Sequence, residues 1–341
     1  MGGGVTYPEM SAEPSVPASA ATAGRSDDQP LNDIMIPAFG DGPYLRQAVA
    51  SVQAQTDPRW TLTLVDDGPT DAALADWCAQ LDDPRIRYLH NPTNLGINRN
   101  FQRCVDLCVN ELVVLVGADD RLLAGYVRAV TAAAAAFPQA SMIEPGVRVI
   151  DQAGRPVRPI GDRVKSLLAM RVAGTRLVGG DQLASSLLRG NWMYFPSVTF
   201  RRSSIQRYGF REGYDVVQDM DLYLRMLLDG ASLVLVEQVC FEYRRHPASL
   251  SSTEAASGGR FREELDFFIE ARALALHHGW RRTARAAEAR LTSRLHSAVR
   301  SGAAARAGDF VTARALAANA LDVRGRTLHR PDSTGGFAWD K

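Results

Sequence analysis

The sequence predicts an α/β protein: a Rossmann-like, mostly parallel sheet flanked by helices, with a C-terminal helical extension. Three observations carry this. From residue 33, short apolar runs rich in β-branched residues alternate with longer segments of helical period. Two of those runs end in paired aspartates. Past residue 258 the composition turns to Ala, Arg, Leu and Glu in helix-period patterns. The chain has 341 residues, 46% of them hydrophobic, enough for a sizeable core. Its 39 Lys+Arg against 38 Asp+Glu leave +1, so it lacks the basic excess that non-specific nucleic-acid binding needs.

Taken in order, residues 1–30 are Gly, Ala, Ser, Pro and Asp with little to bury, and read as a disordered tail. Ile34–Ile36, Leu62–Val65, Ile86–Leu89 and Leu112–Val116 read as buried strands. Between them Tyr44–Gln55, Asp71–Leu81 and Asn98–Val109 carry apolar residues at three and four spacing, hence crossover helices. Ser197–Phe200 and Leu233–Val236 read as further strands with a helix at Asp219–Leu228 between them. Glu263–His278, Trp280–Ser301 and Asp309–Leu321 read as three helices, with Gly279 and Gly302 as C-terminal stops. The expected division is therefore a tail at 1–30, an α/β domain at 31–255 split near residue 123, a helical region at 256–323, and a loose end at 324–341.

Several chemistries are excluded. The only lysines are Lys165, in a loop-like Gly-Asp-Arg-Val-Lys stretch, and Lys341 at the chain end, so no lysine suits Schiff-base work. Cys78, Cys104, Cys108 and Cys240 fit neither zinc nor redox spacing and read as buried thiols. Gly40-Asp41-Gly42-Pro43 lacks the third glycine of a dinucleotide fingerprint, and no Gly-Lys-Ser/Thr phosphate loop occurs. No apolar run approaches the ~20 residues of a membrane span.

In a parallel sheet, ligands sit outside the carboxyl ends of the strands. There stand Asp66-Asp67 and Asp119-Asp120. One such pair is explained by helix capping. Two pairs on one sheet edge point to a ligand site, since adjacent carboxylates repel unless a cation or donors meet them.

Ordered motifs now give a resemblance. Ile36-Pro37-Ala38-Phe39, Val65-Asp66-Asp67-Gly68, Asn94-Leu95-Gly96, Ala118-Asp119-Asp120, Phe195–Arg201, Gln218-Asp219-Met220-Asp221 and Tyr243-Arg244-Arg245-His246 together resemble the family-2 glycosyltransferases, which have the GT-A fold. The resemblance spans roughly Leu31 to Ser252. It implies a nucleotide-sugar site at Pro37, Ala38, Phe39, Asp66, Asp67, Asn94 and Asp119, with Phe39 against the base. It implies a divalent cation, Mg²⁺ or Mn²⁺, on Asp120 with His246 nearby. It implies Asp219 as the base of inverting transfer. Two positions depart from the family pattern: Gly117 replaces an earlier aspartate, and Gln218 replaces a glutamate. Losing that neighbouring charge should lower the pKa of Asp219. Trp192, Tyr194 and Gln218 are acceptor-side candidates, with core packing the alternative for the two aromatics. Asp221 and Arg225, one helical turn apart, read as a structural ion pair.

The expected function is glycosyl transfer from a nucleotide-diphosphate sugar to a sugar, small-molecule or lipid-linked acceptor, in the bacterial cytoplasm or peripherally at the inner membrane face. A non-catalytic nucleotide-sugar-binding module on the same fold is the alternative. For the Arg-rich C-terminal helices, docking or homodimer pairing is favoured over an anionic membrane because their apolar positions are Ala-heavy.

Overall fold

Asn32–Ala38 forms the first strand (β1) because its apolar residues point both ways: Ile34 and Ile36 enter one apolar core and Met35 the other, all buried. The computed structural model describes residues 31–70, 72–170, 174–246 and 259–321. After β1 come α1 (Leu45–Gln53), β2 (Trp60–Asp66), α2 (Ala72–Ala79), β3 (Ile86–His90), α3 (Ile97–Asp106) and β4 (Leu112–Leu115). Strands β3, β2, β1 and β4 lie side by side and parallel, as the alternation predicts. The opening Asp33 is buried and has a structural task. It accepts hydrogen bonds from Thr61 Oγ1, the Val109 and Asn110 backbone N–H groups and Asn110 Nδ2, locking the entry to β4.

The second half is mixed. It runs through β5 (Arg121–Leu122), α4 (Tyr126–Ala136), β6 (Met142–Ile150), α5 (Ile160–Leu168), β7 (Arg176–Gly179), α6 (Gly180–Gly190), a 3₁₀ turn (Phe195–Ser197), β8 (Thr199–Arg201), α7 (Arg202–Tyr208), α8 (Gln218–Leu228) and β9 (Ser232–Arg244). The sheet of nine strands follows the order β3-β2-β1-β4-β8-β6-β9-β5, with β7 also on β9. The long strand β6 is absent from the sequence reading. Its Pro145-Gly146 pair breaks the strand pattern, and the β6–β9 register does shift at those residues. Lys165 lies in α5, not in a loop.

Four further helices close the described chain: α9 (Gly259–His277), α10 (Arg281–Ala289), α11 (Leu291–Arg306) and α12 (Phe310–Leu321). Gly279 ends α9 in the left-handed region, as expected. The expected helix Trp280–Ser301 instead divides at Arg290, which takes φ 43°. Gly302 is interior to α11; the stop falls at Gly308, with φ 79°. Residues 1–30 and 322–341, which include the expected tail and loose end, lie outside the described residues, as does Asp71. All four cysteines are buried, unbridged thiols.

One buried acid sets a pH dependence. Glu144 on β6 accepts the Tyr194 N–H at 3.0 Å, and burial pushes its carboxyl up to about 8. Between the ordinary carboxylate range and that value the folded protein holds a proton that the unfolded chain releases. Stability present at low pH is therefore lost as pH rises through the folded value. Glu144→Gln keeps the acceptor oxygen and removes the titration. Thermal unfolding from pH ~5 to ~9 should show the wild-type Tm falling more steeply than that of Glu144→Gln.

Candidate active site

A cleft of about 660 Å³ opens where the strand ends converge, lined by the Pro37–Gly40 stretch, the Asn94–Ile97 loop, the Gly117–Asp120 turn, the start of α8 and the end of β9. Pro37, Ala38, Phe39, Asp67, Asn94, Asp119, Asp120, Gln218, Asp219 and His246 all line it. Phe39 stands at its mouth with 64% of its surface exposed.

Three expected residues do not line the cleft. Asp66 is fully buried and spent on the protein: Oδ1 accepts the Gly40 and Gly68 N–H groups, and Oδ2 accepts the Tyr88 hydroxyl. Trp192 is in the core, its Nε1 donating to Ser186 Oγ. Tyr194 turns its hydroxyl onto Asp162 Oδ1 at 2.9 Å and packs against Tyr243. Of the two readings open for these aromatics, packing is what their contacts match. Gln218 does reach the cleft, and its Oε1 takes a 3.3 Å hydrogen bond from Asn98 Nδ2.

Asp67 organises rather than floats. Its Oδ1 accepts Asn91 Nδ2 and the Leu95 N–H, both at 2.7 Å, and its Oδ2 accepts the Gly96 N–H at 2.9 Å. Gly96 has φ +80°, a conformation that glycine adopts freely. Asn94 Oδ1 caps the same Gly96 N–H.

The Gly117–Asp120 turn brings two carboxylates together. Asp120 is buried, with Oδ1 on the Arg244 N–H at 2.8 Å and Oδ2 without a partner. Burial first, and the neighbouring Asp119 carboxylate second, raise its pKa well above the usual range. A Cβ on Gly117 would lie 2.6 Å from Asp120 Oδ2 and 2.9 Å from Asp119 Oδ1, so both oxygens converge over this glycine. Asp119 Oδ2 meets His246 Nε2 at 2.8 Å, and Tyr44 packs on the histidine ring at 5.1 Å. Among the described residues no three His, Cys, Asp or Glu side chains form a metal cage. An orphaned buried carboxylate oxygen beside a second carboxylate nevertheless fits a hard cation whose other ligands come from a diphosphate and water.

Across the cleft, Asp219 opens α8. Its Oδ2 accepts Asn191 Nδ2 at 2.9 Å. Burial raises its pKa, against the lowering pull of Asn191, the Met220 N–H and Lys165. The expected lowering through Gln218 is thus outweighed by desolvation. Asp221 pairs with Arg225 at 2.8 Å, as its spacing predicts, and also with Arg211.

Asn191 and Arg244 are residues whose parts in the site sequence reasoning missed. Asn191 is the left-handed cap of α6, φ 31°, with a buried Oδ1 lacking a partner. A Gly-Asn pair at a helix end was the available signal. Arg244 stands in the Tyr243-Arg244-Arg245-His246 motif, whose letters carry no sign of its burial.

A glycosyl transferase family 2 model matches residues 33–175, which hold β1 to β4 and the Gly117–Asp120 turn. Residues 33–175 thus match the family that the ordered motifs resemble. The chain has the GT-A fold. It is similar to the solved structure of Staphylococcus aureus TarS 1–349 in complex with UDP-GlcNAc, with TM-score 0.59, 14% identity and coverage of 84% of this chain and 90% of that one. It is similar also to the mannosyltransferase PcManGT of Pyrobaculum calidifontis in complex with GDP-Man and Mn²⁺, with TM-score 0.54, 16% identity and coverage of 86% and 80%. By sequence it is 27% identical over 242 residues to the uncharacterised protein MT1568 of Mycobacterium tuberculosis, covering 68% of this chain and 72% of that one. The putative colanic acid biosynthesis glycosyl transferase WcaA of Escherichia coli is 30% identical over 94 residues, 27% of this chain and 34% of that one.

Asp67 gives the direct test of how the protein builds this cleft. Hydrogen bonds to a buried charge are worth ~1.5–3 kcal/mol each, so Asp67→Ala should lower unfolding free energy by about 3 kcal/mol or more in denaturant titration.

Proposed function

We propose that the protein is an inverting glycosyltransferase moving a sugar from a nucleotide-diphosphate donor to an acceptor hydroxyl, in bacterial polysaccharide, glycoconjugate or natural-product biosynthesis. The observation that carries this reading is one cleft with two differently prepared carboxylate groups. On one wall stand Asp119 and Asp120, converging over Gly117; on the other stands Asp219, desolvated and oriented by Asn191. Neighbours that hold UDP-GlcNAc or GDP-Man in the same fold support a nucleotide-sugar donor.

In this reading Pro37, Ala38 and Phe39 receive the nucleoside, with the base on the exposed Phe39 ring, a contact worth ~1–3 kcal/mol. Asp67 shapes the Asn94-Leu95-Gly96 loop beside it. Asp66 is the support under this wall and not a donor contact. Asp120 would hold a divalent cation with Asp119, while His246 steadies Asp119 through its 2.8 Å contact. When bound, such a cation offsets charge on the departing diphosphate.

Asp219 then accepts the proton of the acceptor hydroxyl. The hydroxyl oxygen forms a bond to the anomeric carbon as the bond from that carbon to the diphosphate oxygen breaks on the opposite side, and the nucleoside diphosphate leaves. A raised pKa makes Asp219 a stronger base near neutrality, provided it is ionised. Gln218, neutral and held by Asn98, borders the acceptor path.

Transfer assays with UDP- and GDP-sugars test the reading. Asp219→Asn should lower kcat by ~10²–10⁴ with nucleotide Kd unchanged. Wild-type turnover should fail on acidification at a pH above the usual carboxylate range, because burial raises the Asp219 value. Asp120→Ala should abolish the Mn²⁺-dependent part of nucleoside-diphosphate affinity in calorimetry and leave the fold intact by circular dichroism. Tight nucleotide-sugar binding with no transfer or donor hydrolysis would favour a non-catalytic binding module.

A further inference from the structure

The α11–α12 hairpin is built inside out. On its inner side α11 presents polar side chains: Ser293 Oγ donates to Glu264 Oε2 of α9 at 2.6 Å, while toward α12 Ser297 Oγ accepts Asn319 Nδ2 at 2.6 Å and Ser301 Oγ donates to the Ala313 carbonyl at 2.7 Å. Ser293 and Ser297 are buried. Away from it, Leu291, Leu295 and Val299 recur every four residues and so form one stripe, with 55%, 56% and 63% of their surfaces in solvent. At the hairpin tip Phe310 and Val311 are 71% and 84% exposed. Scattered exposed apolar residues are ordinary; a stripe on a helix whose inner face is serine is not.

Charge selects what covers the stripe. Residues 291–321 carry Arg294, Arg300, Arg306 and Arg314 against Asp309 alone, four positive to one negative, or +3. The whole chain is +1, so the remainder sums to −2 (1 − 3). A second copy seated on the same face would bring two segments of net +3 together, which is unfavourable across an interface. An apolar stripe on a segment of net +3 matches the boundary between anionic headgroups and acyl chains. None of the helices among the described residues is long and apolar enough to cross a membrane, so this geometry is one of lying on a surface. The Ala-heavy composition behind the expectation of docking or pairing is real, but the large residues are the ones left outside.

We propose that the α11 stripe and the Phe310–Val311 tip form a peripheral binding surface for an anionic lipid bilayer. The inference is independent of the reading of the cleft. It is tested by flotation of the full chain with vesicles of equimolar phosphatidylglycerol and phosphatidylcholine, and with phosphatidylcholine alone. The expected result is co-flotation with the first, none with the second, and loss at high salt. Leu295→Ser should weaken partitioning about tenfold, the value of one leucine's burial, with Tm changed little and nucleotide binding unchanged because most of Leu295 lies in solvent. Flotation that survives Leu291→Ser/Leu295→Ser/Val299→Ser, or that is equal on the two vesicles, would overturn the proposal. So would a dimer that Leu295→Ser dissociates, with no flotation of the wild type, which would make the stripe a self-interface.

Discussion

The buried guanidinium of Arg244 is the interaction on which the cleft depends. It ends β9 with 1% of its surface exposed. Its Nε donates to the Asp119 carbonyl, Nη1 to the Asp151 and Gln152 carbonyls, and Nη2 to Gln47 Oε1, while its own backbone N–H holds Asp120 Oδ1. One side chain thus ties the acid turn after β4 to α1 and to the loop after β6. Tyr44 covers it, with the guanidinium carbon 4.3 Å from the ring centre. A buried cation is costly unless every donor is used, and here carbonyls do most of that work. That leaves Asp120 free of an ion pair through its side chain, so its Oδ2 stays available.

The same logic separates the paired acids. Three of the four strand-end aspartates, Asp66, Asp67 and Asp120, are buried, and the surroundings meet each acid differently. Asp66 is satisfied by Gly40, Gly68 and Tyr88, and Asp67 by Asn91, Leu95 and Gly96. Those two convert buried charge into loop geometry. Asp120 keeps an orphaned oxygen, and Asp119 meets His246. An acid whose lone pairs are spent inside shapes a site; one whose lone pairs are not spent is where a ligand adds energy.

The parallel half of the sheet was legible because Ile34–Ile36, Leu62–Val65 and Leu112–Val116 are continuous apolar runs separated by periodic helices. β6 was not, since its strand includes Pro145-Gly146 and its stability comes from β9 and β8, distant in sequence. The acids of the Gly117–Asp120 turn were legible because strand ends are sequence-local features, while Phe39, Asn94 and Asp219 stood out only through the resemblance of their motifs. The demotion of Asp66, Trp192 and Tyr194 was not. It is decided by which partner reaches a side chain first, such as Tyr88, Ser186 or Asp162, and those partners carry no sequence signal. Lys165 shows the same limit: Gly-Asp-Arg-Val-Lys suggests a loop, while α5 places its ammonium 4.8 Å from the centre of the Tyr194 ring.

Gly117 then takes on a physical meaning that composition could not supply. As a letter it is a missing acid, a loss of one anionic group from the turn. In the fold it is the absence of a Cβ at a point already approached by Asp120 Oδ2 and Asp119 Oδ1. Any larger residue would have to push both carboxylates aside, and Asp120 cannot move far while its Oδ1 holds the Arg244 N–H. An aspartate here would also add a third negative charge to a pocket where burial and one neighbour already raise the Asp120 pKa. With glycine, two carboxylates close on one point at lower repulsion, the arrangement that the proposed cation would use. The substitution narrows the turn around its acids instead of emptying it.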